Sequence, residues 1–170
     1  MSSQDVTISA KDGGTFSGYL ALPEGGSGPG VVVIQEIFGV NAVMREITDS
    51  FAAAGYVALC FCLGGRLAFL TATRTGADAA VGYYGVMLEE HVSEPLKAPV
   101  LLHIATEDGF VPKENQAKVH AALDGNGMAT LFDYEGKDHA FARKGGEHYD
   151  PEAAQLARER TSEFFAAHLR

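Results

Sequence analysis

The stretch Gly55-Tyr56-Val57-Ala58-Leu59-Cys60-Phe61-Cys62-Leu63-Gly64-Gly65-Arg66 decides how this chain is read. Gly55 to Leu59 is a short apolar run of the length of a buried strand, and it leads straight to Cys62. The pair Gly64-Gly65 then opens a helix predicted over Arg66 to Thr73. Strand, nucleophile, small residues and helix in that order are the layout of a nucleophile elbow, a sharp turn that holds a reactive side chain clear of the sheet. A cysteine there sits at a helix N-terminus, where the partial positive charge favours thiolate over thiol. The same residues also suit a buried structural cysteine behind a core strand, so the decision falls to the segments around them.

Upstream, Val6 to Ala10 and Phe16 to Leu22 read as two strands joined by the turn Asp12-Gly13-Gly14. Gly30 to Gln35 is a continuous apolar strand of the kind buried on both faces. Asn41 caps a helix through Ala54, with Val43, Ile47, Phe51 and Ala54 on its apolar face and Gly55 at its end. Downstream, Ala79 to Tyr84 and Pro99 to Ala105 read as strands, Pro112 to about Leu123 as a helix, and Thr130 to Tyr134 as the last strand. Asp150-Pro151 opens the final helix, with Ala153, Leu156, Ala157, Phe164 and Phe165 as its packing stripe. This alternation predicts one α/β domain over residues 1–170, a mostly parallel sheet with helices on both faces.

The whole chain narrows the function. At 170 residues it can bury one core, and its net charge of −9 disfavours nucleic acid or an anionic membrane as partner. No apolar run approaches a membrane span, and Met1-Ser2-Ser3-Gln4-Asp5 has no signal pattern. Cys60 and Cys62 are too close for an unstrained disulfide, which points to a reduced, cytoplasmic protein, and no further metal ligands follow them. No cofactor or metal is expected, and an anionic ligand has to be met by specific Arg or Lys.

In parallel α/β sheets the chemistry collects after the carboxyl ends of strands. Those ends carry Gln35-Glu36-Ile37-Phe38-Gly39, then Cys62, then Glu107-Asp108-Gly109, then Asp138-His139-Ala140-Phe141-Ala142-Arg143. Nucleophile, carboxylate and histidine in that chain order match the α/β-hydrolase triad with Cys in place of Ser. Asp108 alone is an ordinary turn residue, and His139 alone an ordinary loop histidine, as His91, His120, His148 and His168 read. His103, inside an apolar strand, reads as a hydrogen-bonded core residue. Glu36 ends an apolar strand, where a carboxylate needs a partner.

Gln35-Glu36-Ile37-Phe38-Gly39-Val40-Asn41, Phe61-Cys62-Leu63-Gly64-Gly65, Gly82-Tyr83-Tyr84-Gly85 and His139-Ala140-Phe141-Ala142-Arg143 together resemble the dienelactone hydrolase (carboxymethylenebutenolidase) family, from about Val6 to His168. The resemblance implies an α/β-hydrolase fold and opening of a dienelactone ring to maleylacetate in chlorocatechol breakdown. It implies Cys62 as nucleophile, His139 as general base and Asp108 as the group orienting the histidine. Glu36 would hold the resting thiol, and the backbone N–H groups of Leu63 and Ile37 would form the oxyanion hole. Arg143 would bind the carboxylate of a small anionic lactone. The resemblance also implies a monomer, with no nucleic acid or membrane as partner.

One departure stands out. In the family a helix and a separate elbow strand follow Tyr56 to Cys60, whereas here that first strand runs directly into the elbow. A segment is missing between Cys60 and Phe61, and with it a second substrate-binding arginine. Cys60 stands where the family's elbow has a glycine. A right-handed crossover allows two outcomes. The fused strand either lies on the far side of the Val31 to Gln35 strand, or takes the elbow strand's place with the Asn41 helix changing face. Against the lactone hydrolase stand two alternatives, an impaired or inactive deletion form that self-associates and a thiol esterase for neutral esters.

Overall fold

The computed structural model describes residues 1–9, 13–35, 40–62 and 65–169, with Gln35, Phe61 and Cys62 described by backbone alone. The chain forms two compact units, Met1–Leu63 and Gly64–Arg170.

The first unit begins with an antiparallel hairpin, β1 (Ser2–Ser9) and β2 (Thr15–Leu22), with Gly13 and Gly14 between them. β3 (Gly30–Gln35), α1 (Ala42–Ala53) and β4 (Val57–Cys62) follow as a strand–helix–strand crossover. Asn41 caps α1 by accepting from the Met44 N–H at 3.1 Å, and Gly55 at φ +98° follows its end, as the sequence predicts. The sheet order is β1-β2-β4-β3, with β4 parallel to β3 and antiparallel to β2. The fused strand therefore lies on the far side of β3, the first of the two topologies.

Register explains where this unit is apolar. Ala21, Ala58 and Val31 lie in one row and Tyr19, Cys60 and Val33 in the next, and all six are buried. α1 packs on this face, held by the Tyr19 hydroxyl donating to Asp49 at 2.9 Å. Its fully buried positions are Thr48 and Ala52, one row over from the Val43–Phe51 face that periodicity predicts. Thr48 can be buried because its hydroxyl donates to the Met44 carbonyl at 2.7 Å. The opposite row, Leu20, Leu59 and Val32, is less covered, and Val32 is 52% exposed. Among the described residues α1 is this unit's one helix.

The second unit contains α2 (Gly65–Arg74), β5 (Ala80–Tyr83), a 3-10 turn (Leu88–Glu90), β6 (Val100–Ala105), α3 (Lys113–Leu123), β7 (Ala129–Tyr134) and α4 (Pro151–His168). β5, β6 and β7 form a parallel sheet in that order. Gly65 lets α2 start hard against β5, since a Cβ there would strike the Tyr83 carbonyl. Alternation along β6 separates two layers. Val100 and Leu102 pack with Phe69 and Ala72 of α2 and Val119 and Leu123 of α3, whereas His103 and Ala105 face α4. α4 is capped by Asp150, which accepts from the Ala153 N–H at 2.8 Å. Its buried stripe is Ala153, Ala154, Ala157, Thr161 and Phe165, so Leu156, expected inside, is 41% exposed.

Thr161 is in that stripe because it completes a buried polar chain. His103, 1% exposed, meets the Tyr134 hydroxyl through Nδ1 at 2.8 Å and Thr161 Oγ1 through Nε2 at 2.9 Å. Thr161 Oγ1 lies 2.7 Å from the Tyr83 hydroxyl, which donates to the Ala157 carbonyl. The Arg160 guanidinium lies over the Tyr134 ring, 5.3 Å from its centroid. One assignment matches every donor to an acceptor: Tyr134 donates to Nδ1, Nε2–H to Thr161, and Thr161 to Tyr83. Burial, helped by the Arg160 charge, holds His103 down at about 3, so the ring is neutral. Among the described residues, no helix is long and apolar enough to cross a membrane.

Candidate active site

Asp108 and His139 are delivered by the loops after β6 and β7. Neighbouring parallel strands release their chains at the same end of the sheet, so those loops run side by side. Thr106 N–H donates to the Tyr134 carbonyl and Glu107 N–H to the Lys137 carbonyl at 2.9 Å. The Thr106 hydroxyl accepts from the Gly136 N–H at 2.9 Å. Asp108 turns its own loop by accepting from the Phe110 N–H at 2.9 Å, and its side chain is 2% exposed.

His139 Nδ1 then lies 2.9 Å from Asp108 Oδ2 and 3.1 Å from Oδ1. A carboxylate accepts only, so Nδ1 carries the hydrogen and Nε2 is left as the basic nitrogen. The imidazole sits between two aromatic rings, Tyr84 at 5.0 Å and Phe110 at 4.8 Å, both edge-to-face. Tyr84 at φ +36° and Ala140 at φ +63° place unusual backbone on either side of the ring. Tyr84 also packs on fully buried Phe141, which stacks on Tyr134 at 4.5 Å. Arg143, half-buried, follows on a turn whose N–H donates to the Ala140 carbonyl at 2.9 Å.

Three residues here carry no assigned role in the sequence reading. Phe110 is 68% exposed although it packs on the histidine. Asp138 accepts from the N–H groups of both Gly109 and His139. His148 donates from Nδ1 to the His139 carbonyl at 3.2 Å. Closeness in the chain to Asp108 and His139 was the one available signal for Phe110 and Asp138, and His148, nine residues past His139, had none. In the first unit the backbone of Cys62 ends β4 opposite Gln35, at the carboxyl end of both strands. The Cys62 side chain, Glu36, Ile37 and Leu63 lie outside the described residues. Among the described residues no cluster of His, Cys, Asp or Glu could hold a metal ion.

A parallel sheet flanked by helices, with a carboxylate–histidine pair in the loops after its strands, is the arrangement the α/β hydrolases share. Solved structures agree on the fold. A Klebsiella pneumoniae protein assigned as a dienelactone hydrolase superposes with TM-score 0.84 at 23% identity, covering 96% of this chain and 98% of that one. The dienelactone hydrolase-like promiscuous phosphotriesterase P91 from metagenomic libraries superposes with TM-score 0.79 at 20% identity, covering 99% of each chain. The sequence profile of the dienelactone hydrolase family matches residues 16–60 and 60–169. The chain belongs to the dienelactone hydrolase family, and with it to the carboxylic ester hydrolases.

A protein of Azospirillum brasilense assigned as a carboxymethylenebutenolidase is 40% identical, across 97% of this chain and 99% of its own length. The carboxymethylenebutenolidase of Pseudomonas putida is 29% identical, across 98% and 97%. The alignment to the Azospirillum protein has 228 positions against 170 residues here, so at least 58 positions fall opposite a gap. The family match divides at residue 60, where the missing segment is read from the sequence.

Proposed function

We propose that this protein hydrolyses a small lactone, of the dienelactone type, through Cys62, His139 and Asp108. The observation that carries the reading is the His139 Nδ1–Asp108 contact at 2.9 Å, which leaves Nε2 as the base. Names of the relatives supply the substrate class, since both Azospirillum and Pseudomonas proteins carry the name carboxymethylenebutenolidase.

In this reading Nε2 takes the Cys62 thiol proton, and Glu36 holds that thiol at rest. The sulfur bonds to the lactone carbonyl carbon, and the oxyanion is met by the N–H groups of Ile37 and Leu63, each such donor worth about 3–4 kcal/mol in the barrier. The ring C–O bond then breaks, its oxygen taking the proton from His139. Water, deprotonated by the same nitrogen, attacks the thioester and releases the second carboxylate and the thiol. Arg143 pairs with the carboxylate already on the substrate.

Mass spectrometry after a rapid quench tests this. A substrate-derived adduct on the peptide containing Cys62 in the wild type, absent in Cys62→Ala and formed more slowly in His139→Gln, supports it. Turnover without any adduct in either protein contradicts it.

One observation favours the alternative, an impaired deletion form. β4 lies on the β2 side of β3. In the family's order the elbow strand lies on the other side, so Cys62 stands about two strand spacings, roughly 10 Å, from the family's place for the nucleophile. Absence of both adduct and turnover in the wild-type chain supports that form.

A further inference from the structure

Asp138 lies next to the Asp108–His139 pair, in the loop that follows β7. Its Oδ1 accepts from the Gly109 N–H at 2.8 Å and from the His139 N–H at 2.6 Å. Gly109 directly follows Asp108, so one oxygen joins the backbone beside the carboxylate to the backbone of the histidine. Its Oδ2 is 3.5 Å from His148 Nδ1, the same nitrogen that donates to the His139 carbonyl. With its side chain 37% exposed, Asp138 could face water, yet it turns onto two backbone donors. Those two bonds hold its carboxyl below the ordinary range.

The position of this tie matters. Further ties between the two loops come from residues 134, 136 and 137, all before the histidine. Beyond it the backbone enters the left-handed region at Ala140. A peptide free to rotate at residues 138–139 would swing the ring away from Asp108, and a displacement of about 1 Å in such a site costs on the order of a hundredfold in rate. We propose that Asp138 is a positioning residue whose Oδ1, by tying the Gly109 and His139 N–H groups together, sets the approach of His139 Nδ1 to Asp108. The inference rests on Asp108 and His139 being the working pair of the proposed hydrolase, but its test needs no turnover.

Proton NMR of the full chain compares wild type with Asp138→Asn, Asp138→Ala and Asp108→Asn. The wild type is expected to show a far-downfield imidazole proton that Asp108→Asn removes. Asp138→Asn keeps an oxygen that accepts both bonds, so the proton and slow amide exchange at Gly109 and His139 persist. Asp138→Ala loses the proton, and both amides exchange about tenfold or more faster, while core amides of β6 stay protected. If the core amides also open, Asp138→Leu, which keeps a branched side chain of similar size without an acceptor, replaces it. Retention of the proton and of amide protection without the carboxylate overturns the proposal, as does loss in Asp138→Asn equal to that in Asp138→Ala. A wild type with no Asp108-dependent proton has no pair to position and overturns it too. All expected results together with no ester hydrolysis contradict the hydrolase reading and leave the positioning role standing.

Discussion

Replacing His103 by leucine is expected to make the protein less stable at pH 7 and less sensitive to acid. The ring is 1% exposed and bonded at both nitrogens, to Tyr134 and to Thr161. Leucine fills the space but leaves the Tyr134 hydroxyl without its acceptor, a cost of about 1–3 kcal/mol. Acid acts in the opposite direction. Burial, with the Arg160 charge, holds the folded-state value at about 3 against an ordinary 6.5. The unfolded chain therefore takes up a proton below about pH 6.5 that the folded chain refuses. Stability from the neutral ring is complete above 6.5 and is lost as pH falls toward 3. Over the two pH units down to 4.5, at about 1.4 kcal/mol per unit, wild type loses about 3 kcal/mol through this group. Urea titrations of both proteins at pH 7, 6, 5 and 4.5 give the difference between them, in which the shared carboxylate titrations cancel. The gap that favours wild type at pH 7 should close or reverse at pH 4.5. Parallel profiles across the range would refute the account of a neutral, doubly bonded core histidine.

His120 should behave with the opposite sign. Partial burial opposes its charge, but the bonds to Asp124 and Asp133 outweigh burial and raise its value, so its stabilisation is complete below about 6.5 and fades as pH rises through the folded value. His120→Gln should flatten that part of the stability profile, and an unchanged alkaline limb would contradict it. Arg143→Gln should reduce kcat/KM for a carboxylate-bearing lactone far more than for a neutral ester, and equal losses would assign Arg143 to the fold. The Leu20–Leu59–Val32 row predicts an association-prone protein of low melting temperature. Val32→Thr should cut light scattering and apolar-dye binding while changing stability by no more than about 0.5 kcal/mol. A monomeric wild type that melts cooperatively above roughly 60 °C would refute this.

The elements were legible because their punctuation is local. Asn41 and Gly55 bound α1, Asp150-Pro151 opens α4, and Val31-Val32-Val33-Ile34 reads as a strand, although Val32 is 52% exposed where burial on both faces was expected. Helix faces were less legible, because small polar residues can be buried once bonded. Thr48 on its own helix carbonyl and Thr161 in the His103 chain displaced the apolar positions that periodicity favours. The order of β4 and β3 had to come from pairing, since a right-handed crossover fits either side of β3 once a segment is lost. At the site, the candidates Asp108 and His139 could be named from chain order alone, and their 2.9 Å contact came from the loops that β6 and β7 release together. Asp138 and Phe110 stayed silent in the sequence because backbone ties and aromatic packing have no spacing signature.

The rate of dienelactone hydrolysis by Cys62→Ala, set beside wild type and Cys60→Ala, tests the central claim most directly. Cys60 is fully buried between β2 and β3, two residues before the proposed nucleophile, and so controls for loss of a thiol in the same strand. The account predicts hydrolysis by wild type, most of that rate in Cys60→Ala, and none above background in Cys62→Ala. Turnover that survives in Cys62→Ala, or that disappears only in Cys60→Ala, would contradict it.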